Sequence, residues 1–322
     1  MRPSQRQAQD QSQAVESLVV TGASSGIGRH LAERFSNEGL HVFATARSEA
    51  DLAVLSEIPR LTAVPLDVRN RDQVQALCDL VQSSKTSLRG LINNAGVGWL
   101  GPLPAFSEPD LVDIFDINVF GPHRLTNALL DLLLESRGRI VNIGSQGGVL
   151  SSAYFGPYCM TKHALAAYTV ALDEELEPHG VRAAIVEPGG ITSEIGEKSQ
   201  TVTARLLGQA RRPFADAALE FLERITPPAE TTNPAHESEP TAPESPEHRR
   251  PSPPSIVGDA VEHALFSEEP RRHYIVGTRW EGDRVLRTLL ERLVEANACP
   301  TLRYSRDELI AKLDEQLSLD QA

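Results

Sequence analysis

Short, nearly continuous runs of apolar residues alternate along the chain with segments of helical spacing. After the apolar residues 18–20, for example, the chain carries a glycine-rich stretch and then Leu31 and Phe35 at helical spacing. Unbroken apolar runs of this length are typical of strands that helices cover on both faces, as in a parallel sheet. The pattern therefore predicts an α/β fold with a doubly wound parallel sheet. The predicted strands comprise residues 18–20, 40–46, 61–66, 91–92, 140–143 and 181–186.

Polar residues and glycines follow directly after most of these runs. In open α/β sheets, ligands bind beyond the carboxyl ends of the strands. We therefore expect a binding site at this edge of the sheet. The segments that follow a predicted strand are Arg47, Asp67 with Val68, residues 93–96 (Asn-Asn-Ala-Gly), residues 144–145 (Gly-Ser) and residues 187–189 (Glu-Pro-Gly).

The glycine-rich segment 21–28 reads Thr-Gly-Ala-Ser-Ser-Gly-Ile-Gly and lies between a predicted strand and a predicted helix. Glycine lets the backbone turn tightly and approach a pyrophosphate, and a helix N-terminus presents N–H groups to an anion. The spacing differs from the common Gly-x-Gly-x-x-Gly pattern. A dinucleotide site and a simple tight turn are both compatible with this segment alone.

Tyr158 and Lys162 are four residues apart in a segment with helical spacing, and Ser145 precedes them. Residues four apart lie on one face of a helix, so the phenol and the ammonium are expected to share one space. A nearby cation lowers the pKa of a phenol, which makes Tyr158 a candidate proton donor and acceptor. An isolated Tyr-Lys pair also occurs on ordinary helices.

Six motifs in this order resemble the short-chain dehydrogenase/reductase family. The resemblance covers residues 16–200 and implies a Rossmann-type fold with hydride-transfer chemistry. The segments 43–47 (Phe-Ala-Thr-Ala-Arg) and 271–277 (Arg-Arg-His-Tyr-Ile-Val-Gly) resemble the hydroxysteroid and retinol dehydrogenase branch. The six motifs are residues 21–28, Asp67, residues 93–96, Asn118, Ser145 with Tyr158 and Lys162, and Pro188-Gly189 with Thr192.

The resemblance implies catalytic roles for four residues. Tyr158 exchanges a proton with the substrate oxygen, and Ser145 hydrogen-bonds the same oxygen. Lys162 holds the ribose hydroxyls of the nicotinamide cofactor and lowers the pKa of Tyr158. Asn118 holds a water that links Lys162 to solvent. The alternatives are a helix-interior amide bonded to the backbone for Asn118 and a turn-capping hydroxyl for Ser145.

The charge at the end of the second predicted strand bears on the choice between NAD and NADP. Ala46 and Arg47 stand at the end of the second strand, where a carboxylate would favour NAD and an arginine suits the 2′-phosphate of NADP. NADP is therefore expected, with NAD still open because Ser25 replaces a second basic residue of some NADP-preferring relatives. The expected cofactor contacts are Thr21, Gly22, Ser24, Ser25, Gly26, Ile27, Gly28, Arg47, Asp67, Val68, Asn94, Ala95, Gly96, Tyr158, Lys162, Pro188, Gly189, Ile191 and Thr192.

Composition excludes several classes of protein. The formal charge of −13 argues against nucleic-acid binding, which needs clustered Lys and Arg. The polar N-terminus and the absence of an apolar stretch of about 18 residues argue against an integral membrane segment. The three cysteines predict neither a disulfide framework nor a metal site. The expected location is the cytoplasm, the expected partner is a small molecule, and a homo-oligomer is left open.

The predicted organisation is a single domain with a disordered insertion. Residues 1–15 form a disordered tail, and residues 16–226 form the catalytic domain with a lid at 193–225. Residues 227–254 are rich in Pro, Glu, Ser and Thr and lack an apolar period, so disorder is expected. Residues 255–322 complete the same domain with a helix from 255 to 266, a strand at 273–276 and a helix near 285–294.

Two functions from different classes are compatible with these motifs. The first is an NADP-dependent oxidoreductase that interconverts an alcohol and a carbonyl on an apolar substrate. The second is a dinucleotide-binding sensor or scaffold without turnover. The full set of Asn118, Ser145, Tyr158 and Lys162 favours the enzyme, because a sensor needs no proton donor. The sequence does not define the substrate, which depends on tertiary packing around the lid.

Overall fold

A computed structural model describes residues 15–192, 195–225, 251–301 and 303–319. In this part of the chain, seven parallel strands form one sheet in the order β3-β2-β1-β4-β5-β6-β7. The order reverses between β1 and β4, which is the switch point where open α/β sheets bind ligands. The predicted doubly wound parallel sheet is confirmed. The strands are β1 (Glu16–Val20), β2 (His41–Ala46), β3 (Leu61–Pro65), β4 (Ser87–Asn93), β5 (Arg139–Ile143), β6 (Arg182–Pro188) and β7 (His273–Val276).

Helices cover both faces of the sheet and bury a separate apolar core on each side. One core includes Leu77, Leu129 and Leu133, and the other includes Leu31 and Phe35. The strands therefore lie between two apolar layers, which explains their unbroken apolar runs. The helices are α1 (Gly26–Asn37), α2 (Glu49–Ser56), α3 (Arg71–Ser83), α4 (Glu108–Phe115), α5 (Gly121–Ser136), α6 (Gly156–Leu176), α7 (Ile195–Gly208), α8 (Ala215–Ile225), α9 (Ser255–Phe266), α10 (Arg279–Asn297) and α11 (Arg306–Leu319).

The chain divides into two compact units, residues 1–278 and residues 279–322. Helix α9 and strand β7 belong to the first unit, and β7 pairs with β6 as expected for a strand that extends the sheet. Helices α10 and α11 form the second unit, where the Asn297 side chain hydrogen-bonds both backbone groups of Tyr304. The assignment of residues 279–322 to the catalytic domain therefore stays a prediction.

The segment that follows the expected insertion is ordered earlier than the sequence predicts. Ser252 N–H donates to the Gly190 carbonyl at 2.8 Å, and Thr192 N–H donates to the Ser252 carbonyl at 3.0 Å. The prediction of disorder is therefore wrong for residues 251–254, where pairing with residues 190–192 satisfies the backbone despite the local proline content. The rest of the predicted insertion and the predicted N-terminal tail up to residue 14 lie outside the described residues.

The helices of the described segments were also compared with the requirements for a membrane span. None of them is both long enough and apolar enough to cross a bilayer.

A buried carboxylate ties helix α6 to the last two strands of the sheet. Asp173 is fully buried and accepts hydrogen bonds from the Arg182 and Arg272 guanidinium groups at 2.8–3.0 Å. The Ala183 N–H also donates to it, at 2.8 Å. Burial alone would raise the pKa of Asp173, but these donors outweigh burial and hold the pKa below its ordinary value.

Replacing this carboxylate should destabilise the first unit. We expect Asp173→Asn to lower the free energy of unfolding by about 3 kcal/mol, because two guanidinium groups lose their buried partner. The comparable change Glu174→Gln removes an exposed partner of Arg272 and should cost less than about 1 kcal/mol. Urea unfolding of both variants above pH 5, where Asp173 is ionised, measures the difference. Equal losses would contradict a special role for Asp173.

Candidate active site

The ends of β1 and β4 are joined by a set of hydrogen bonds between Thr21 and Asn94. Thr21 Oγ1 accepts the N–H groups of Asn94 and Ala95 at 2.9 and 3.0 Å. In return, Asn94 Nδ2 donates to the carbonyls of Thr21 and Gly22 at 2.9 and 3.1 Å. Thr21 is buried in this arrangement. It therefore holds the two strand ends at a fixed distance on either side of the switch point.

Two glycines allow the turn after β1 to fold against β4. Gly22 has φ +66°, and a Cβ atom placed on it would lie 2.8 Å from Ala95 Cα. A Cβ atom on Gly28 would lie 2.3 Å from the Gly22 carbonyl oxygen and 2.4 Å from Asn94 Nδ2. No other residue fits these positions without a shift of the backbone. The N-terminus of α1 is thereby held close to the end of β4.

A cleft of about 960 Å³, including space open to solvent, lies over this turn. Eleven of the predicted cofactor contacts line it, whereas Thr21, Gly28, Tyr158, Lys162, Pro188, Gly189, Ile191 and Thr192 do not. Thr21 and Gly28 instead shape the turn beneath. The predicted residues in the lining are Gly22, Ser24, Ser25, Gly26, Ile27, Arg47, Asp67, Val68, Asn94, Ala95 and Gly96.

Ala46, the last residue of β2, also lines the cleft. Four further lining residues were not predicted: Leu66, Val97, Ile117 and Ser199. Leu66 and Val97 adjoin predicted contacts in the sequence, so a wider reading of the same motifs would have found them. Ile117 precedes the predicted Asn118. Ser199 belongs to α7, and its place at the cleft depends on long-range folding that no local motif reports.

The cleft has a basic residue at the end of β2 and a paired carboxylate at the end of β3. Arg47 is exposed. Asp67 accepts hydrogen bonds from the Arg69 side chain at 2.8 and 3.0 Å. Hydrogen bonding to Arg69 lowers the pKa of Asp67, and the charge of Arg47 acts in the same direction. The Asp67 carboxylate is therefore neutralised by Arg69, which leaves Arg47 to set the charge at this end of the cleft.

Ser145, Tyr158 and Lys162 come together beyond the carboxyl end of β5. The short 3₁₀ turn 146–148 brings the end of β5 against α6, and a Cβ atom on Gly147 would lie 3.3 Å from the Tyr158 ring and 3.4 Å from Ser145 Oγ. Lys162 Nζ lies 5.7 Å from the centroid of the Tyr158 ring and donates to the Ile143 carbonyl at 2.8 Å. Ser145 Oγ also accepts the Gly147 N–H at 3.0 Å, which is the turn-capping role given above as its alternative.

The pKa of Tyr158 differs from the expectation. Burial raises the pKa of the phenol, and the nearby Ser145 hydroxyl opposes this rise only in part. The net shift of the Tyr158 pKa is therefore upward, opposite to the predicted direction. The physical reason is that Lys162 is itself buried, which lowers the pKa of its ammonium to about 8, and it bonds to the Ile143 carbonyl rather than to the phenol.

Asn118 lies in a π-helical turn, Asp116–Phe120, between α4 and α5. Its side chain is buried, with Oδ1 accepting the Val97 N–H at 2.9 Å and Nδ2 donating to the Val97 carbonyl at 3.0 Å. Nδ2 also donates to Thr161 Oγ1 at 3.0 Å. These contacts match the alternative of an interior amide bonded to the backbone. The water relay through Asn118 stays a prediction, and π-helical turns often occur at functional sites.

Comparison with known proteins decides the family. The model of the short chain dehydrogenase family matches residues 16–203, which is more than half of the chain. The chain belongs to the short-chain dehydrogenase/reductase family. It is accordingly an oxidoreductase of the kind that acts on alcohol and carbonyl groups, as the order of its motifs predicted.

Relatives of this short-chain dehydrogenase agree with the predicted branch. It is 30% identical to the uncharacterized oxidoreductase YbbO of Escherichia coli strain K12, over 85% of this chain and 90% of that protein. It is 31% identical to mouse (Mus musculus) retinol dehydrogenase 5, over 81% of this chain and 80% of that protein. The resemblance to retinol dehydrogenases is thereby confirmed.

A solved structure extends the comparison to the backbone. A singly substituted variant of actinorhodin polyketide ketoreductase, solved with NADPH, superposes with a TM-score of 0.65 at 27% identity. The match covers 82% of this short-chain dehydrogenase and 96% of the ketoreductase chain.

The close approach of Gly28 to Gly22 gives a stability prediction. We expect Gly28→Ala to lower the free energy of unfolding by roughly 1–3 kcal/mol, because the new methyl group meets a backbone carbonyl that cannot move alone. Gly208→Ala is the matched control, since a Cβ atom there meets nothing within 4 Å, and it should stay within about 0.5 kcal/mol of wild type. Urea unfolding measures both. A neutral Gly28→Ala would contradict the packing described here.

Proposed function

We propose that this protein is an NADP(H)-dependent oxidoreductase that interconverts an alcohol and a carbonyl on an apolar substrate, with Tyr158 as the proton donor and acceptor. The observation that carries the proposal is the meeting of Ser145, Tyr158 and Lys162 beyond β5. The expectation of a sensor without turnover gains no support from the geometry, because a binding protein needs no Ser-Tyr pair of this kind.

The cleft fits a nicotinamide dinucleotide. Its floor is a glycine turn whose backbone a Cβ atom would block, and the first turn of α1 carries no acidic residue that would repel a pyrophosphate. Exposed Arg47 offers a forked donor to a 2′-phosphate, and no lining carboxylate other than the Arg69-paired Asp67 opposes it. When bound, the cofactor supplies or accepts the hydride. The NADPH complex of the ketoreductase relative agrees with this choice.

The protein's own groups handle the proton. Tyr158 donates its phenolic proton to the carbonyl oxygen during reduction and takes it back during alcohol oxidation. Ser145 hydrogen-bonds the same oxygen as its negative charge develops. The raised pKa of Tyr158 keeps the phenol protonated at neutral pH, which suits the donor role in carbonyl reduction. Lys162 holds the ribose hydroxyls and stabilises the phenolate by its charge.

The surroundings of Tyr158 favour an apolar substrate. Tyr158 and Val97 pack against an apolar cluster that includes Trp99 and Leu206, and α7 supplies the last of these. We assign α7 and α8 to the lid predicted at residues 193–225. Retinol dehydrogenase 5, a relative over most of the chain, carries in its name an apolar alcohol as substrate. A panel of ketones, aldehydes, steroids and retinoids with NADPH, followed at the nicotinamide absorbance, would define the substrate.

Removing the proton donor should abolish turnover. Tyr158→Phe is expected to lower kcat by about 10²–10⁴-fold on an accepted carbonyl substrate, with NADPH affinity nearly unchanged, because only the hydroxyl is lost. Tyr168→Phe is the matched control. Tyr168 is ten residues further along α6, about 15 Å away along the helix axis, and should keep wild-type kcat. Wild-type kcat in Tyr158→Phe would refute the mechanism, and NADPH binding without turnover on any substrate would favour the sensor.

Reversing the charge of Arg47 should change the cofactor preference. Arg47→Asp should weaken NADPH binding by roughly tenfold to a hundredfold, since a hydrogen bond to a charged group is worth about 1.5–3 kcal/mol, and should favour NADH. Arg306→Asp makes the same change of charge at an exposed position of the second unit and should leave the NADPH Kd unchanged. Titration of both variants with NADPH and NADH gives the Kd values. An unaltered NADPH Kd in Arg47→Asp would show that Arg47 does not contact the phosphate.

A further inference from the structure

A buried carboxylate lies behind the catalytic groups, and neither the motifs nor the proposed mechanism uses it. Glu187, in β6, is 1% exposed. Its Oε2 atom is 3.0 Å from Nδ1 of His273, a half-exposed residue at the start of β7. Its Oε1 atom is buried and has no hydrogen-bond partner in the part of the chain that the structure describes. A buried carboxylate oxygen without a donor is costly, so its retention calls for a physical reason.

Glycines near the active site place this carboxylate directly beneath α6. A Cβ atom on Gly148 would lie 2.8 Å from Glu187 Oε1 and 3.1 Å from the Lys162 carbonyl oxygen. A Cβ atom on Gly144 would lie 3.1 Å from Glu187 Cγ. A larger residue at position 148 would collide with both the Glu187 carboxylate and the backbone of α6. The unpartnered oxygen is therefore held against the turn of helix that carries Lys162.

Lys162 needs a compensating charge. It is 6% exposed, and the one hydrogen bond described for its ammonium goes to the neutral carbonyl of Ile143. Burial favours the neutral amine and lowers the pKa of Lys162 to about 8, whereas the charge of Glu187 raises it. The other titratable group described beside its ammonium is the protonated phenol of Tyr158, whose ring centroid is 5.7 Å away. Beyond Glu187 stands His273, on β7.

We propose that Glu187, held in place by His273, is a positioning residue that keeps Lys162 in its charged form. Its carboxylate acts through space on the ammonium and touches neither substrate nor cofactor. The inference rests on the proposed function only for the role of Lys162 in catalysis. The placement of Glu187 beside Lys162 is supported by the burial of both residues, by the two glycine contacts and by the His273 hydrogen bond.

The expected effect has a definite sign. Loss of an adjacent negative charge disfavours the protonated amine, so the titration midpoint of Lys162 falls when Glu187 becomes neutral. We expect Glu187→Gln to lower this midpoint by about one pH unit or more. A larger fraction of Lys162 is then uncharged at pH 7–8, and the alkaline limb of the pH–rate profile should move to lower pH by the same amount.

The small number of lysines makes a direct measurement practicable. The chain contains four, namely Lys85, Lys162, Lys198 and Lys312. In full-length protein labelled with ¹³C at lysine Cε, an NMR titration follows each ammonium separately, and the signal lost in Lys162→Arg assigns Lys162. In wild type, the Lys162 signal should titrate below the other three. A Lys162 signal that titrates at the same pH in wild type and in Glu187→Gln would overturn the proposal.

Three variants complete the test. Glu187→Gln should shift the Lys162 midpoint downward, and Glu187→Asp, which keeps the charge, should recover most of the shift. Glu135→Gln removes an exposed carboxylate from α5 and should leave the midpoint unchanged. A merely structural role of Glu187 would change the unfolding midpoint of the protein but not the titration of Lys162, and that outcome refutes the proposal. If Glu187→Gln does not fold, an unshifted Lys162 signal in His273→Ala refutes the proposal instead, because that change removes the donor that anchors the carboxylate.

The titration requires neither cofactor nor substrate. Failure of the proposed function would appear as a lack of NADPH-dependent turnover in wild type, whatever the NMR result. Failure of the present inference would appear as an unmoved Lys162 signal in an active enzyme.

Discussion

The active site depends on the distance between the ends of β1 and β4, which the Thr21–Asn94 hydrogen bonds set. A parallel sheet whose strand order reverses opens a crevice at its switch point. The crevice has a defined width only if contacts hold the two strand ends at a fixed distance. Here one hydroxyl accepts two N–H groups, and one amide donates to two carbonyls. Gly22 and Gly28 then let the N-terminus of α1 approach. Each of these buried polar groups is satisfied by another, so the loss of one leaves an unpaired partner.

The proposed proton chemistry depends on a second constraint, which is burial. Desolvation disfavours charge on both members of the proposed catalytic pair, since it raises the pKa of Tyr158 and lowers that of Lys162. A phenol that stays protonated is a useful donor, whereas an amine that loses its proton cannot stabilise a phenolate. Burial therefore supports the donor role of Tyr158 but disfavours the charged form of Lys162. In the inference drawn above, the charge of the Glu187 carboxylate corrects the second effect.

Local sequence signals predicted the sheet, the strand-end motifs and even the bounds of β7 and α9, because apolar periodicity and turn residues act over a few positions. Features that depend on contacts distant in sequence escaped prediction. The bridge between Ser252 and Ile191 orders a proline-rich segment through pairing that composition does not report. The pKa of Tyr158 was assigned the wrong direction because spacing reveals a neighbouring cation but not the depth at which both groups are buried.

Two hydrogen bonds attach α7, part of the predicted lid, to the segment that follows β4. Gly98 N–H donates to Ser199 Oγ at 3.2 Å, and Leu100 N–H donates to Thr203 Oγ1 at 3.1 Å. Each such bond contributes only about 0.5–1.5 kcal/mol, because water can replace the hydroxyl when the helix moves away. Leu206 and Leu207 of α7 are also fully buried, so movement of the helix exposes apolar surface as well. Under the proposed function, polar bonds and buried leucines together hold a segment that has to admit an apolar substrate and then exclude water from Tyr158.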